Sequence, residues 1–202
     1  MHFDNFDSLG LMGVEELRRR IKHAVPDWHL EGIPSISYRP AEFFPCGDGE
    51  HGVVVGLYNK KSHEIAIRVV AWDSIRYRLE AVRAEFLCDD VMAMLNRKRD
   101  VVEAAYVQFA KEEKNVLRII YHEIGHHVYS LLKIQDSLFE SRWKGIHEAS
   151  AEHVTSYADC SAEENFAECY MTYVSNRDML SRPCFSAEHA ELQRWFVLAA
   201  AC

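Results

Sequence analysis

The chain has 202 residues, 49% of them hydrophobic and 27% charged, which supplies the apolar material for one sizeable core and excludes a disordered chain. A net charge of −8 has the wrong sign for a broad nucleic-acid surface, which needs clustered Lys and Arg to displace phosphate counterions. No run approaches the roughly 18 apolar residues of a membrane span, and Met1 to Asp7 lack the basic and apolar regions of a secretory signal.

In chain order, Val14, Leu17, Ile21 and Val25 recur at helical spacing before Pro26, so a short helix is predicted over 14–25. Strands follow at 35–39, 53–58 and 64–70. The last two are separated by the turn residues Asn59-Lys-Lys-Ser62 and are predicted to form a hairpin, hence a small, mostly antiparallel sheet. Residues 74–114 contain neither Gly nor Pro and read as a helical insertion of two helices. Further helices are predicted over 115–133, from Ser161 to about Val174, and from Ser186 to Ala200. No repeat or linker divides the chain, so the expectation is one α+β domain over 1–202: a helix and sheet in 1–73, the insertion in 74–114, and a mainly helical part in 115–202.

Six cysteines stand at 46, 88, 160, 169, 184 and 202 with no CxxC pair. In a chain of this size they read as reduced thiols of a cytoplasmic protein, although a secreted or delivered form with its signal removed would have the same composition.

Chemistry concentrates in Tyr121-His122-Glu123-Ile124-Gly125-His126. Two histidines four residues apart share a helix face and can reach one Zn²⁺, while Glu123 lies beside the metal where it can take a proton from the attacking water. Leu117, Ile120, Tyr121, Ile124, Val128, Leu131 and Leu132 gather on the opposite side, so the helix can bury an apolar stripe and still present both ligands to a cleft. The plainer alternative is a pair of surface histidines on an amphipathic helix. His127 is rotated about 100° from His126 and is not expected to share the metal. Gly125 costs about 1 kcal/mol relative to Ala in a helix, which implies a close neighbour there.

A catalytic zinc normally takes three protein ligands, so a third must come from elsewhere. Glu164 is the best placed, in Ser161-Ala-Glu-Glu-Asn-Phe-Ala-Glu168, where Ser161 is a plausible N-cap. Glu168 shares its helix face and can accept the free N–H of a liganding histidine, while Phe166, Tyr170 and Tyr173 turn toward the core. Glu163, Glu164 and Glu168 could also be no more than an acidic first turn favoured by the helix dipole. His147 and His153 are six apart, cannot share a helix face, and read as polar surface.

His-Glu-x-x-His followed by a helix with Glu-x-x-x-Glu resembles the gluzincin class of zinc metallopeptidases. Val154-Thr-Ser-Tyr-Ala158 with Glu164-Asn-Phe-Ala-Glu168 resembles in particular the catalytic domains of anthrax lethal factor and of the Pro-Pro endopeptidases. The resemblance spans about residues 115–175 and implies a zincin-like fold with the sheet packed against the His-Glu-x-x-His helix. It also implies zinc binding by His122, His126 and Glu164, and an oxyanion role for Tyr157, seven residues before Glu164. Residues 74–114 have no counterpart in it, and substrate preference does not transfer.

The expected activity is therefore zinc-dependent endopeptidase chemistry on a protein or peptide, with Glu123 as general base, Tyr157 as oxyanion donor and Glu168 orienting a histidine. Glu64 to Val70 is the expected exposed edge strand for the substrate. The alternative is a zinc-binding interaction module on a peptidase-like fold without hydrolysis. Cys46 is a further candidate, as a thiolate that could occupy the open metal position, against the simpler reading of a loop cysteine.

Overall fold

The computed structural model describes residues 1–6, 13–39, 43, 56–68 and 116–198. The helical insertion expected at 74–114, the strand residues 53–55 and Cys46 lie outside the described residues. Strand β1 (His2–Asp4) leads through helix α1 (Val14–Ala24) to strand β2 (Ser35–Arg39). The hairpin of β3 (Gly56–Tyr58) and β4 (Ile65–Arg68) follows. Helix α2 spans 116–135, then come α3 (Phe139–Ala149), α4 (Ala162–Ser175), the short α5 (Arg177–Leu180) and α6 (Ser186–Leu198). The described part is an α+β arrangement, a small four-stranded sheet with a mainly helical remainder. No helix among the described residues is long and apolar enough to cross a membrane.

The sheet runs β1-β2-β4-β3 and corrects the antiparallel expectation: β1 pairs β2 and β2 pairs β4 in parallel, and only β3 and β4 are antiparallel. The reason is connectivity. A helix between two strands returns the chain to the starting end, so β1 and β2 must run the same way. A three-residue β1 is also too short to show the alternation by which a strand is read. Because the hairpin inserts β4 against β2, with Ile36 opposite Ile65 and Tyr38 opposite Ile67, β4 is interior. Among the described residues the edge strand beside the helices is β3, not the 64–70 segment expected in that role.

Helix α1 buries Leu17 and Ile21, with Glu15 and Glu16 in its first turn and Lys22 and His23 in its last, as the helix dipole favours. Helix α2 is buried continuously from Glu123 to Tyr129, more than a single stripe would require, because it has neighbours on two sides. One is β3: a Cβ on Gly56 would stand 2.7 Å from Ile119 Cγ2. The other is α4: a Cβ on Gly125 would come within 2.9 Å of Ala167 Cα and 3.2 Å of Tyr170 Cβ, the close neighbour its glycine implied. Phe166, Tyr170 and Tyr173 are buried as expected. Around Phe166 the rings of Tyr129, Phe139, Trp143 and Tyr170 pack at centroid distances of 4.9–6.2 Å. Trp143 Nε1 donates to Ala162 O at 2.8 Å and fixes α3 against the start of α4.

Candidate metal centre

The tight crossing of α2 and α4 at Gly125 sets the site. His122 and His126, one turn apart on α2, face each other with Nε2 atoms 3.1 Å apart. Ser161 caps α4 by accepting the Glu164 N–H at 3.1 Å, and the Glu164 side chain is free to turn onto the histidines. Its Oε2 lies 3.3 Å from both Nε2 atoms. In a tetrahedral site with bonds near 2.0–2.2 Å, neighbouring ligand atoms stand roughly 3.3–3.6 Å apart; the two carboxylate–imidazole distances of 3.3 Å meet that spacing and the imidazole pair at 3.1 Å is slightly tighter. Glu164 Oε2 is also shut off from solvent without a well-formed hydrogen bond, an unmet need that a cation would answer. Among the described residues, this is the group of His, Cys, Asp and Glu side chains that could hold a metal ion.

The outward nitrogens are held as well. His122 Nδ1 is 2.7 Å from Glu168 Oε1, a contact that would keep the proton on Nδ1 and leave the Nε2 lone pair facing inward once the ring is neutral. Glu168 Oε2 accepts from Thr155 Oγ1 at 2.8 Å. His126 Nδ1 is 3.3 Å from Glu163 Oε1, and Lys60 Nζ reaches the same carboxylate at 2.7 Å. Lys60 is carried there by the β3–β4 turn, in which Asn59 Oδ1 accepts the Lys61 N–H at 2.9 Å. The sequence gives Glu163 no role beyond an acidic first turn and singles out neither Lys60, Thr155 nor Gly56. The only available signal was chemical: a second liganding histidine needs a partner of its own, and Glu163 adjoins Glu164.

Glu123 is buried, with 6% of its surface exposed, and a Cβ on Gly56 would stand 2.2 Å from its Oε1. Any side chain at position 56 would force the Glu123 carboxylate and the Ile119 methyl to shift. Burial raises the Glu123 pKa above the ordinary value, opposed by the nearby His122 and His126 and reinforced by Glu164. Tyr157 sits in a 3₁₀ turn, Tyr157–Asp159, with 46% of its surface exposed and its ring 5.9 Å from that of His122. Desolvation, with the neighbouring Glu164 charge, pushes its hydroxyl up to about 12, so it is a proton donor at neutral pH.

Burial alone would lower both histidines, but the carboxylates outweigh it. Glu164 and Glu168 hold His122 up at about 10, and Glu163 and Glu164 hold His126 at about 9. Glu164 is raised by burial, yet its contacts with the His122 and His126 rings bring it to about 2, and the His126 and Lys60 contacts bring Glu163 to about 2. This donor set therefore stores protons where a divalent cation would bind, and a metal would enter by displacing them.

Three further histidines make their contacts outside the triad. His127 stays away from the triad, with Nε2 2.8 Å from Glu31 O and Nδ1 3.1 Å from the Tyr58 hydroxyl, tying α2 to the hairpin. His147, at the end of α3, and His153, in the loop after it, bring their rings to 5.0 Å, and His153 Nε2 meets Asp159 Oδ1 at 3.3 Å. No protein-family model, curated protein or solved structure matches the chain.

Proposed function

We propose that the chain is a zinc-dependent endopeptidase of the gluzincin kind, in which His122, His126 and Glu164 hold the metal, Glu123 is the general base and Tyr157 stabilises the oxyanion. The supporting observation is the convergence of two imidazole nitrogens and one carboxylate oxygen at 3.1–3.3 Å, bordered by a buried carboxylic acid and an exposed phenol. Zinc bound there would supply a Lewis acid that polarises the scissile carbonyl and acidifies water.

The chain's own groups do the rest. Glu123, whose pKa burial raises, accepts the proton of the attacking water and passes it to the leaving amine, a transfer typically contributing about 10²–10⁴-fold. Tyr157 keeps its proton and donates a hydrogen bond to the developing oxyanion, a donor commonly contributing about 10²–10³-fold. Glu168 holds the His122 ring in one tautomer. Among the described residues nothing pairs with the outer side of β3, so an extended peptide can add to the sheet there and pass over Gly56 and Glu123. A module that only held metal would need neither the buried Glu123 nor the glycine that makes room for it.

The test is Glu123→Gln. The variant is expected to retain one zinc per chain while cleavage of a diverse peptide library falls by about 10²-fold or more. Undiminished cleavage would remove Glu123 from the reaction, and a wild-type chain without zinc would remove the centre itself.

A further inference from the structure

We propose that Thr155 is a positioning residue that couples the placement of Tyr157 to the orientation of His122, acting through Glu168. The proposal rests on the zinc reading of His122, His126 and Glu164 and adds to it a residue that touches neither metal nor substrate.

A threonine Oγ1 has one proton to donate and lone pairs to accept. Thr155 uses both: it donates to Glu168 Oε2 at 2.8 Å and accepts the Ala158 N–H at 3.2 Å. The second bond closes the turn that contains Tyr157, since Tyr157 lies between the two residues it joins. The first bond leads to the metal, because the other oxygen of Glu168 is 2.7 Å from His122 Nδ1. The phenol ring then faces the imidazole at 5.9 Å between centroids. One side chain thus holds both ends of a short loop-to-ligand path: turn backbone, Thr155, Glu168, His122.

The alternative is that Thr155 merely staples a surface loop. The flanking side chains make the two separable. Val154 and Ala158 are buried, at 7% and 0% exposure, so apolar packing anchors the segment on both sides, and an isosteric valine keeps the shape of residue 155 while removing its bonds to Glu168 and to the Ala158 N–H. A staple would affect loop order alone, whereas a positioning residue must also affect metal binding, and only while Glu168 can relay the effect.

The experiment compares the wild-type chain with Thr155→Val, Thr155→Ser and Glu168→Gln, plus Thr155→Val combined with Glu168→Gln. It reads the Zn²⁺ dissociation constant by chelator competition, the melting temperature of the metal-free protein and the exchange rate of the Ala158 amide. Loss of a direct outer partner of a ligand commonly costs 10–100-fold in metal affinity, so a group one bond further out is expected to cost about 3–10-fold. Thr155→Val should show that loss with faster Ala158 exchange and a metal-free melting temperature lowered by only a few degrees, as the loss of two partly buried hydrogen bonds entails. Thr155→Ser should bind Zn²⁺ within about twofold of wild type, and in the Glu168→Gln background the valine should cost nothing further. Zn²⁺ affinity untouched by Thr155→Val overturns the proposal, as does a valine effect that persists in full without Glu168. If Thr155→Val fails to fold, a Thr155→Ser protein that is folded but as weak a binder as Glu168→Gln overturns it too. A wild-type chain that takes up no Zn²⁺ overturns this proposal and the metal centre together, whereas tight wild-type binding with an indifferent valine variant overturns this proposal alone.

Discussion

His122 and His126 stand one turn apart on the same helix, yet their outward nitrogens are held by different physical means. On the His122 side the partner is Glu168, 9% exposed, at 2.7 Å, backed by the Thr155 hydroxyl. On the His126 side the partner is Glu163 at 3.3 Å, whose side chain is 27% exposed and which is backed by Lys60, 62% exposed, from the hairpin turn. The first flank is shorter and better shielded and ends on a hydroxyl, with the Arg118 charge acting on Glu168 without a direct ion pair; the second is longer, more exposed and ends on an ion pair. Hydrogen bonds in a shielded site hold geometry at any salt concentration, whereas exposed ion pairs are screened. The His122 flank should therefore set how tightly the ligands are oriented, and the His126 flank should tie the sheet to the ligand helix more loosely.

The largest effect should come from a change that removes the distinction by disturbing both flanks. Glu163, Glu164 and Glu168 all ride on α4, and α4 approaches α2 through Gly125. Alanine there would gain about 1 kcal/mol of helix propensity, but its Cβ would stand 2.9 Å from Ala167 Cα, so backbone must move. Such overpacking costs about 1–3 kcal/mol. Gly125→Ala is expected to weaken Zn²⁺ binding by more than about 100-fold, beyond the usual cost of any single outer partner. Chelator competition measures it, and wild-type affinity in this variant would mean that the helix contact does not set the ligand spacing.

Next in size is the direct comparison of the flanks. Glu168→Gln should weaken Zn²⁺ binding by about 10–100-fold and Glu163→Gln by no more than about 10-fold, following the shorter contact and deeper burial of the first. Equal losses would refute the asymmetry.

The two flanks also differed in how far the sequence disclosed them. The His122 side was legible as far as Glu168 because those parts obey a period: His122 and His126 are four apart, and so are Glu164 and Glu168, so each pair shares a helix face, whereas Thr155 meets Glu168 across 13 residues and no period encodes it. The His126 side was not, because Lys60 meets Glu163 across 103 residues and no local spacing encodes that meeting. The same distinction explains the fold. Helices at 14–24, 162–175 and 186–198 follow from apolar spacing and a Ser161 cap, while the parallel pairing of β1 with β2 depends on partners distant in sequence and on a strand of three residues. Gly56 carries no local signal either, since its need for a missing Cβ arises only when β3 meets Glu123.

A moderate effect is expected from pH, and metal-free and metal-loaded proteins should respond in opposite directions. In the metal-free protein His122 and His126 are raised from 6.5 to about 10 and about 9, so their contribution to stability is fully present below pH 6.5 and is lost as pH rises toward 9–10. Glu163 and Glu164, lowered from 4.5 to about 2, contribute above pH 4.5 and lose that contribution as pH falls toward 2. The metal-free melting temperature should therefore be highest between about pH 4.5 and 6.5 and decline on the alkaline side. Zn²⁺ affinity should instead rise over that alkaline range, because fewer protons need displacing. A metal-free melting temperature that is flat from pH 6.5 to 9 would deny the histidines their raised protonation.

The smallest expected effect isolates the ionic flank. The Lys60–Glu163 pair is 2.7 Å long but Lys60 is 62% exposed, and pairs of this kind are worth about 0–1 kcal/mol. Lys60→Gln removes the charge and leaves Glu163 beside His126. It is expected to change Zn²⁺ affinity by less than about threefold at low salt, and the difference should vanish near 1 M salt, where the screening length is about 3 Å. Glu168→Gln, measured in the same series, should keep its full deficit at every salt concentration, since its partner lies in a shielded contact. If the Lys60→Gln difference survived high salt, the hairpin would be held to α4 by more than charge, and the contrast between the flanks would reduce to one of distance.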